Sequence, residues 1–104
     1  MLIIEKLSDM IEEEICDAEK YARCALEYKD ERPVLAETFY KLANEEMNHM
    51  AMLHEQVVII ISEYRKTNGD PPESMLKLYD IFHKKHISHA ATVKGMISLY
   101  KEKI

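Results

Sequence analysis

The sequence predicts an all-α protein of three long helices, and three observations support this prediction. Glycine and proline are sparse, and all three prolines fall at position 33 or within the segment 68–72. The residues between these breakers are rich in Glu, Lys, Leu, Met and Ala, which favour helix. Apolar residues recur there at spacings of three and four, as on an amphipathic helix. We therefore expect one helical domain over residues 1–104, with helices near 2–29, 34–67 and 72–102.

Two turns separate the predicted helices, and the second is the better marked. Gly69 suits a left-handed backbone position after a helix. Asp70 is predicted to cap the third helix, with Pro71 in its first turn and Glu73 completing a capping-box-like pair. In the first turn, Asp30 is the predicted cap of the second helix.

Composition excludes several classes of protein. With 47% hydrophobic and 32% charged residues, the chain is too apolar for a disordered tail. Its net charge is −5 and its basic residues are scattered, so we expect no nucleic-acid partner. The longest apolar run, residues 57–61, falls far short of the roughly 20 residues of a membrane span. The first residues do not resemble a signal peptide, so we expect no membrane partner and a cytoplasmic location. Cys16 and Cys24 lie too far apart on a helix for a disulfide.

Polar residues interrupt the apolar lines of the first two helices. The interruption is Glu14 in the first helix, and Glu46 with His49 in the second. The line predicted to be buried in the first helix is Ile4, Leu7, Ile11, Glu14, Ala18, Tyr21, Ala25 and Tyr28. The line predicted in the second is Leu35, Phe39, Leu42, Glu46, His49, Leu53, Val57, Ile60 and Tyr64. A buried carboxylate costs several kcal/mol unless it is paired, protonated or bound to a cation, so these acids need a partner.

The polar interruptions of the first two helices lie at the same height along the helix pair. A short connection makes neighbouring helices antiparallel, so residues of the first two helices face each other when their numbers sum to about 63. Glu14 and His49 meet this condition. The sequence therefore predicts that Glu14, Glu46 and His49 converge in one layer.

The third helix adds histidines near the same layer. Residues of the second and third helices face each other when their numbers sum to about 139, which places His49 opposite His89 or Ala90. His86 and His89 are therefore candidate additional ligands. Asp80 and His83 are expected about two turns away and are left out.

The spacing Glu46-x-x-His49 places a carboxylate and an imidazole on one helical face, where one metal ion can reach both. Carboxylate oxygens with one imidazole per metal suit Fe(II) or Mn(II), and iron is the leading candidate.

With Glu14 on the preceding helix, this motif resembles the ferritin-like superfamily over residues 5–64, particularly its rubrerythrin-type and short encapsulated-ferritin-type members. Tyr21 and Leu53 also match positions where rubrerythrin-like helices often carry an aromatic and an aliphatic residue. The resemblance implies a non-haem two-metal site with Glu46 bridging and Glu14 and His49 as terminal ligands. It implies oxidation of Fe(II) by O2 or peroxide, with the Tyr21 hydroxyl donating a hydrogen bond to a ligand carboxylate.

The chain departs from that family because it carries half of the ligand set. A complete ferritin-like bundle has four helices and two Glu plus Glu-x-x-His halves. Two copies related by a twofold axis would restore the set, so we expect a homodimer or higher homo-oligomer with the metals at the interface. The alternative is a site within one chain that uses His86 or His89.

The sequence also bears on the source of electrons and on a metal-free alternative. The paired Cys-x-x-Cys motifs of a rubrerythrin's electron-supply domain are missing from the sequence, so a peroxidase cycle would need an external electron donor. The competing hypothesis is a metal-free helical interaction module on a ferritin-like scaffold, with Glu46 and His49 satisfied by Lys or by each other.

Overall fold

The computed structural model describes residues 2–102, which form three α-helices. They are α1 (Leu2–Tyr28), α2 (Pro33–Asn68) and α3 (Glu73–Lys101), and no strand occurs in this part of the chain. The all-α prediction is confirmed, and each predicted boundary lies within a residue or two of the observed one.

Gly69 ends α2 as predicted. Its φ is +80°, a region that residues with a Cβ atom rarely adopt, and its N–H donates to the Arg65 carbonyl oxygen at 3.1 Å. This backbone bond satisfies one of the open carbonyls of the last helical turn.

The predicted side-chain caps are wrong. Arg32 and Pro72 occupy the positions before α2 and α3, and neither makes a side-chain capping hydrogen bond. Pro33 begins α2, where a residue without an N–H leaves one fewer donor to satisfy. Asp70 instead lies 3.8 Å from the Arg65 guanidinium.

The helix α1 is the centre of the fold, because α2 and α3 both pack on it and contact each other much less. Its buried residues recur at alternating spacings of four and three: Ile4, Ser8, Ile11, Ile15, Ala18, Ala22 and Ala25. The buried positions of α2 are Ala36, Ala43 and Val57, and those of α3 are His86, Ala90 and Val93. The many alanines leave little side-chain bulk between the helix backbones.

The predicted buried line is rotated in α1. Ile4, Ile11, Ala18 and Ala25 are buried as predicted, but Ser8, Ile15 and Ala22 complete the line instead of Leu7, Glu14 and Tyr21. In α2 the buried line is also displaced, since Ala36 and Ala43 are buried while Leu35 is exposed. The displacement in α1 arises because this helix must face two partners, and α3 covers the side that carries Ser8 and Ile15.

The end of α3 is fastened to the first turn of the chain. The rings of Tyr40 and Tyr100 stack with centroids 4.9 Å apart, and the Tyr100 hydroxyl donates to Glu37 at 2.9 Å. Lys29 lies over the Tyr100 ring and donates to the Glu102 carbonyl oxygen at 3.0 Å.

The three helices leave much apolar surface open. The radius of gyration is 16.7 Å, against about 13 Å for a compact domain of this length. The accessible surface is 7102 Å², against about 6,100 Å² for a folded monomer of this mass.

Between α2 and α3 lies a cleft of about 250 Å³ lined by Met50, His54, His83 and His86, among others. Among the described helices, none has an apolar stretch of the length that crossing a membrane requires.

Candidate metal centre

Glu14, Glu46 and His49 form a cluster between α1 and α2, which we call the α1–α2 triad. His49 Nδ1 lies 3.6 Å from Glu14 Oε2 and 3.6 Å from Glu46 Oε2. One ligand atom from each residue falls within 4.8 Å of the others. The antiparallel pairing of α1 and α2 sets this common height, so the predicted convergence of the three side chains is confirmed.

The triad lies at the edge of the helix pair and not at its centre. The side chains of Glu46, Glu14 and His49 are 18%, 27% and 51% exposed. The expectation that Glu14 is centred in a buried line is therefore wrong, because Ile15 occupies that central position. An ion held by the triad would keep open coordination positions toward solvent or toward another chain.

The Glu14 carboxylate perturbs the neighbouring carboxyl group of Glu46. A hydrogen bond to Glu14 raises the pKa of Glu46, and burial and repulsion from the Glu14 carboxylate add to the increase. A proton on Glu46 would offset the repulsion between the two acids. A divalent cation, which carries more positive charge, would replace it.

The histidines of α3 do not join the α1–α2 triad. His89 Nδ1 lies 3.2 Å from Glu12 Oε1, and His89 Nε2 lies 3.2 Å from Glu19 Oε2. His86 Nε2 lies 3.6 Å from Glu12 Oε2. His86 and His89 were candidate additional ligands of the triad's metal, and the structure places them against another face of α1. The helices α2 and α3 contact different sides of α1.

A second cluster thus forms between α1 and α3, and we call it the α1–α3 cluster. Its members are Glu12, Cys16, Glu19, His86 and His89. One ligand atom from each of Glu12, Cys16 and His89 falls within 4.8 Å of the others. Its members carry carboxylate, thiol and imidazole groups, all of which can bind a cation, and Arg23 also pairs with Glu19 at 3.1 Å.

Three groups of the α1–α3 cluster have pKa values that their surroundings shift. Burial raises the pKa of the Cys16 thiol, and the nearby Glu12 carboxylate raises it further. Hydrogen bonds from Arg23 and then His89 lower the pKa of Glu19. Burial lowers the pKa of His86, against the opposing effect of Glu12.

The buried line predicted for the first helix does not include Glu12, Cys16 or Glu19, and the sequence analysis missed this cluster. The available signal was the spacing of Glu12, Cys16 and Glu19 by four and then three residues, which aligns them on one side of α1. His86 and His89 show a matching spacing of three on α3. Recognising the cluster required knowing that α3 packs on α1.

Tyr21 has a packing contact in place of the expected hydrogen bond. Its ring stacks on that of Phe39 with centroids 6.3 Å apart, and Phe39 stacks in turn on Tyr28. Within residues 2–102, no hydrogen bond joins the Tyr21 hydroxyl to Glu14 or Glu46.

Three stacked rings, those of His54, His83 and Tyr79, lie between α2 and α3. His54 is half-buried, and its ring stacks on that of His83 with centroids 4.9 Å apart. The Tyr79 ring also stacks on that of His83, with centroids 5.5 Å apart. Burial lowers the pKa of His54, and the neighbouring His83 adds to this effect. Asp80, which had been left out of the site, pairs with Lys84 at 2.9 Å.

Comparisons of the chain with protein-family models, with curated proteins and with solved structures found no significant match. The functional argument therefore depends on the residues and their geometry.

Proposed function

We propose that the chain is a non-haem metal protein of ferritin-like type, in which the α1–α2 triad binds iron and supports oxidation of Fe(II) by O2 or peroxide. The observation that carries the proposal is the convergence of Glu14, Glu46 and His49 from two helices on one point. Two carboxylates and one imidazole are ligands that Fe(II) prefers, with Mn(II) as the alternative ion.

The three residues would have different roles. Glu46 and Glu14 would each offer carboxylate oxygens, and Glu46, the more buried of the two, is the candidate bridge between two metals. His49 would be a terminal ligand. Bound iron would supply electrons to the oxidant, while the protein would fix the positions of its ligands. A complete peroxidase cycle would draw electrons from an external donor.

The site would be completed by a second copy of the chain. One triad provides half of the ligands of a two-metal carboxylate site, and a twofold axis through it would bring two Glu-Glu-His sets together. The edge position and partial exposure of the triad are compatible with this arrangement. The homodimer is therefore part of the proposal.

The test is aerobic titration of chelator-treated protein with Fe(II), following bound iron and oxygen consumption. We expect about one tightly bound iron per chain and oxygen uptake that depends on protein. Glu46→Ala should abolish both, whereas Glu45→Ala, which removes an exposed neighbouring carboxylate, should leave both unchanged. Equal activity in the two variants would contradict the proposal. Far-ultraviolet circular dichroism checks that both variants remain helical.

A metal-free helical assembly module is the second candidate function. The observation that favours it is the extent of exposed apolar surface, which includes Val34, Ile81 and Leu99. This hypothesis predicts self-association that is unchanged by chelator and by Glu46→Ala, together with no iron-dependent oxygen uptake.

A further inference from the structure

The α1–α3 cluster has the donors and spacing of a separate metal site. Glu12 and Cys16 lie one turn apart on α1, and His89 approaches them from α3. The Sγ of Cys16 and the Nδ1 of His89 lie 3.7 Å and 3.2 Å from the same atom, Glu12 Oε1. The donor set therefore combines one sulfur, one nitrogen and one oxygen.

These separations match a tetrahedral zinc ion. Zinc bonds of about 2.0–2.3 Å at tetrahedral angles separate a nitrogen from an oxygen ligand by about 3.3 Å, and a sulfur from an oxygen by about 3.6 Å. The observed separations agree to within a few tenths of an ångström. Cys16 is exposed, so the fourth position remains accessible to water.

The contacts of His89 also indicate a cation. Both ring nitrogens lie against carboxylate oxygens, which can only accept hydrogen bonds. A neutral imidazole has a single N–H, so it can donate to one of the two carboxylates. If it donates from Nε2 to Glu19, the Nδ1 lone pair lies beside Glu12 Oε1, as expected for two ligands of one ion.

Buried atoms behind Glu12 provide an independent observation. Glu12 Oε2 is buried and has no hydrogen-bond partner in the described part of the chain. The His86 side chain is 8% exposed and directs Nε2 at this oxygen from 3.6 Å, beyond hydrogen-bond distance. A small contraction around an ion would allow His86 to donate to Glu12.

We propose that Glu12, Cys16 and His89 form a zinc site that is separate from the α1–α2 triad. Glu19 orients His89 through Nε2, and His86 orients Glu12 through Oε2, as outer hydrogen-bond partners do in zinc proteins. On binding, the Cys16 thiol releases its proton to solvent and sulfur binds the metal as thiolate. The ion links α1 to α3, so zinc stabilises the docking of α3.

The experiment uses Co²⁺ as a spectroscopic substitute for zinc in full-length, chelator-treated protein kept reduced by a phosphine. The wild-type chain should give tetrahedral cobalt absorption together with a thiolate-to-cobalt charge-transfer band, and Zn²⁺ should displace the cobalt. Cys16→Ser should lose the charge-transfer band, and Cys24→Ser should keep it as the matched control. Glu46→Ala should also keep it, which separates this site from the triad whether or not the triad binds iron.

Two quantitative outcomes complete the test. Glu19→Gln should weaken zinc binding by about 10-fold to 100-fold while the charge-transfer band remains, because the ligands are intact and only the orientation of His89 is lost. Zinc should raise the thermal midpoint of the wild-type chain and not that of Cys16→Ser. Absence of the band in the wild-type chain, its persistence in Cys16→Ser or its loss in Glu46→Ala would overturn the proposal. If His89 is doubly protonated and no metal binds, the charge-transfer band will be absent from the wild-type chain.

Discussion

At the residue scale, His54 couples the stability of the fold to pH. Its ring is stacked on His83, and its Nε2 lies 3.5 Å from the Tyr79 hydroxyl. Burial holds the pKa of His54 below its ordinary value of 6.5 in the folded chain. Just below pH 6.5, His54 therefore binds more protons in the unfolded chain than in the folded chain. The stability that the neutral His54 contributes is complete above pH 6.5, and it is lost as the pH falls through the pKa of His54 in the folded chain.

We expect the free energy of unfolding to decrease between pH 7 and pH 5, and to decrease less in His54→Leu. The variant removes a group that resists protonation in the fold, while other ionisable groups contribute equally to both proteins. Urea denaturation at each pH measures the difference. Glu55→Gln, an exposed neighbour, is the control and should show the wild-type slope above pH 5.5. An identical slope in His54→Leu would contradict this interpretation.

Individual residues also show where sequence reasoning succeeds. The common height of Glu14 and His49 follows from one short turn between antiparallel helices, so counting residues predicts it. The rotation of α1 about its axis does not follow, because Ile4, Ile11, Ala18 and Ala25 are compatible with a second buried line through either Glu14 or Ile15. The packing of α3 decides between them, and no local pattern encodes that choice.

At the element scale, the two glycines have opposite relations to their helices. Gly69 ends α2 at a φ of +80°, where a Cβ atom strains the backbone whatever space surrounds it. Gly95 lies inside α3, and a Cβ atom built there meets nothing within 4 Å. The same substitution is therefore predicted to have opposite effects at the two positions.

Gly69→Ala should lower the free energy of unfolding by about 1 kcal/mol, and Gly95→Ala should raise it by about 0.5–1 kcal/mol. Gly69→Ala strains the turn that ends α2. Gly95→Ala reduces the conformational entropy that α3 loses on folding. Urea denaturation measures both changes. The two variants serve as controls for each other, and a change of the same sign in both would contradict the argument.

The elements also explain why the α1–α3 cluster escaped prediction. Glu12 and Glu19 resemble solvent-facing acids when α1 is considered alone, and they gain histidine partners only because α3 packs alongside. The connection between α2 and α3 fixes the height of His89 but not which helix it contacts. Sequence patterns thus specify which helices form and where they end more fully than which faces meet.

At the scale of the whole molecule, the three helices form an incomplete bundle. The accessible surface exceeds that expected for a monomer by about 1,000 Å², which is similar to the roughly 800 Å² that each partner buries in a stable interface. Exposed apolar side chains continue the side of α1 that carries Glu14, since Met10 lies four residues before it and Ile3 a further seven. On α2, half-buried Leu42 and Leu53 lie one turn before Glu46 and one turn after His49.

These positions predict a dimer interface that surrounds the triad. We expect the wild-type chain to sediment as a dimer, and Met10→Arg to shift it to monomer because the buried guanidinium would have no partner. Leu99→Arg introduces the same charge at an exposed position of α3 and should leave the dimer intact. Analytical ultracentrifugation measures the change in mass.

Iron binding connects this interface to the metal centre. If two triads form one site, Met10→Arg should lose tight Fe(II) binding along with the dimer although every triad residue is present, while Leu99→Arg should retain both. The α1–α3 cluster lies within one chain, so its cobalt charge-transfer band should survive in both variants. A monomeric wild-type chain that binds iron fully would show that one triad suffices, and the twofold arrangement would then be wrong.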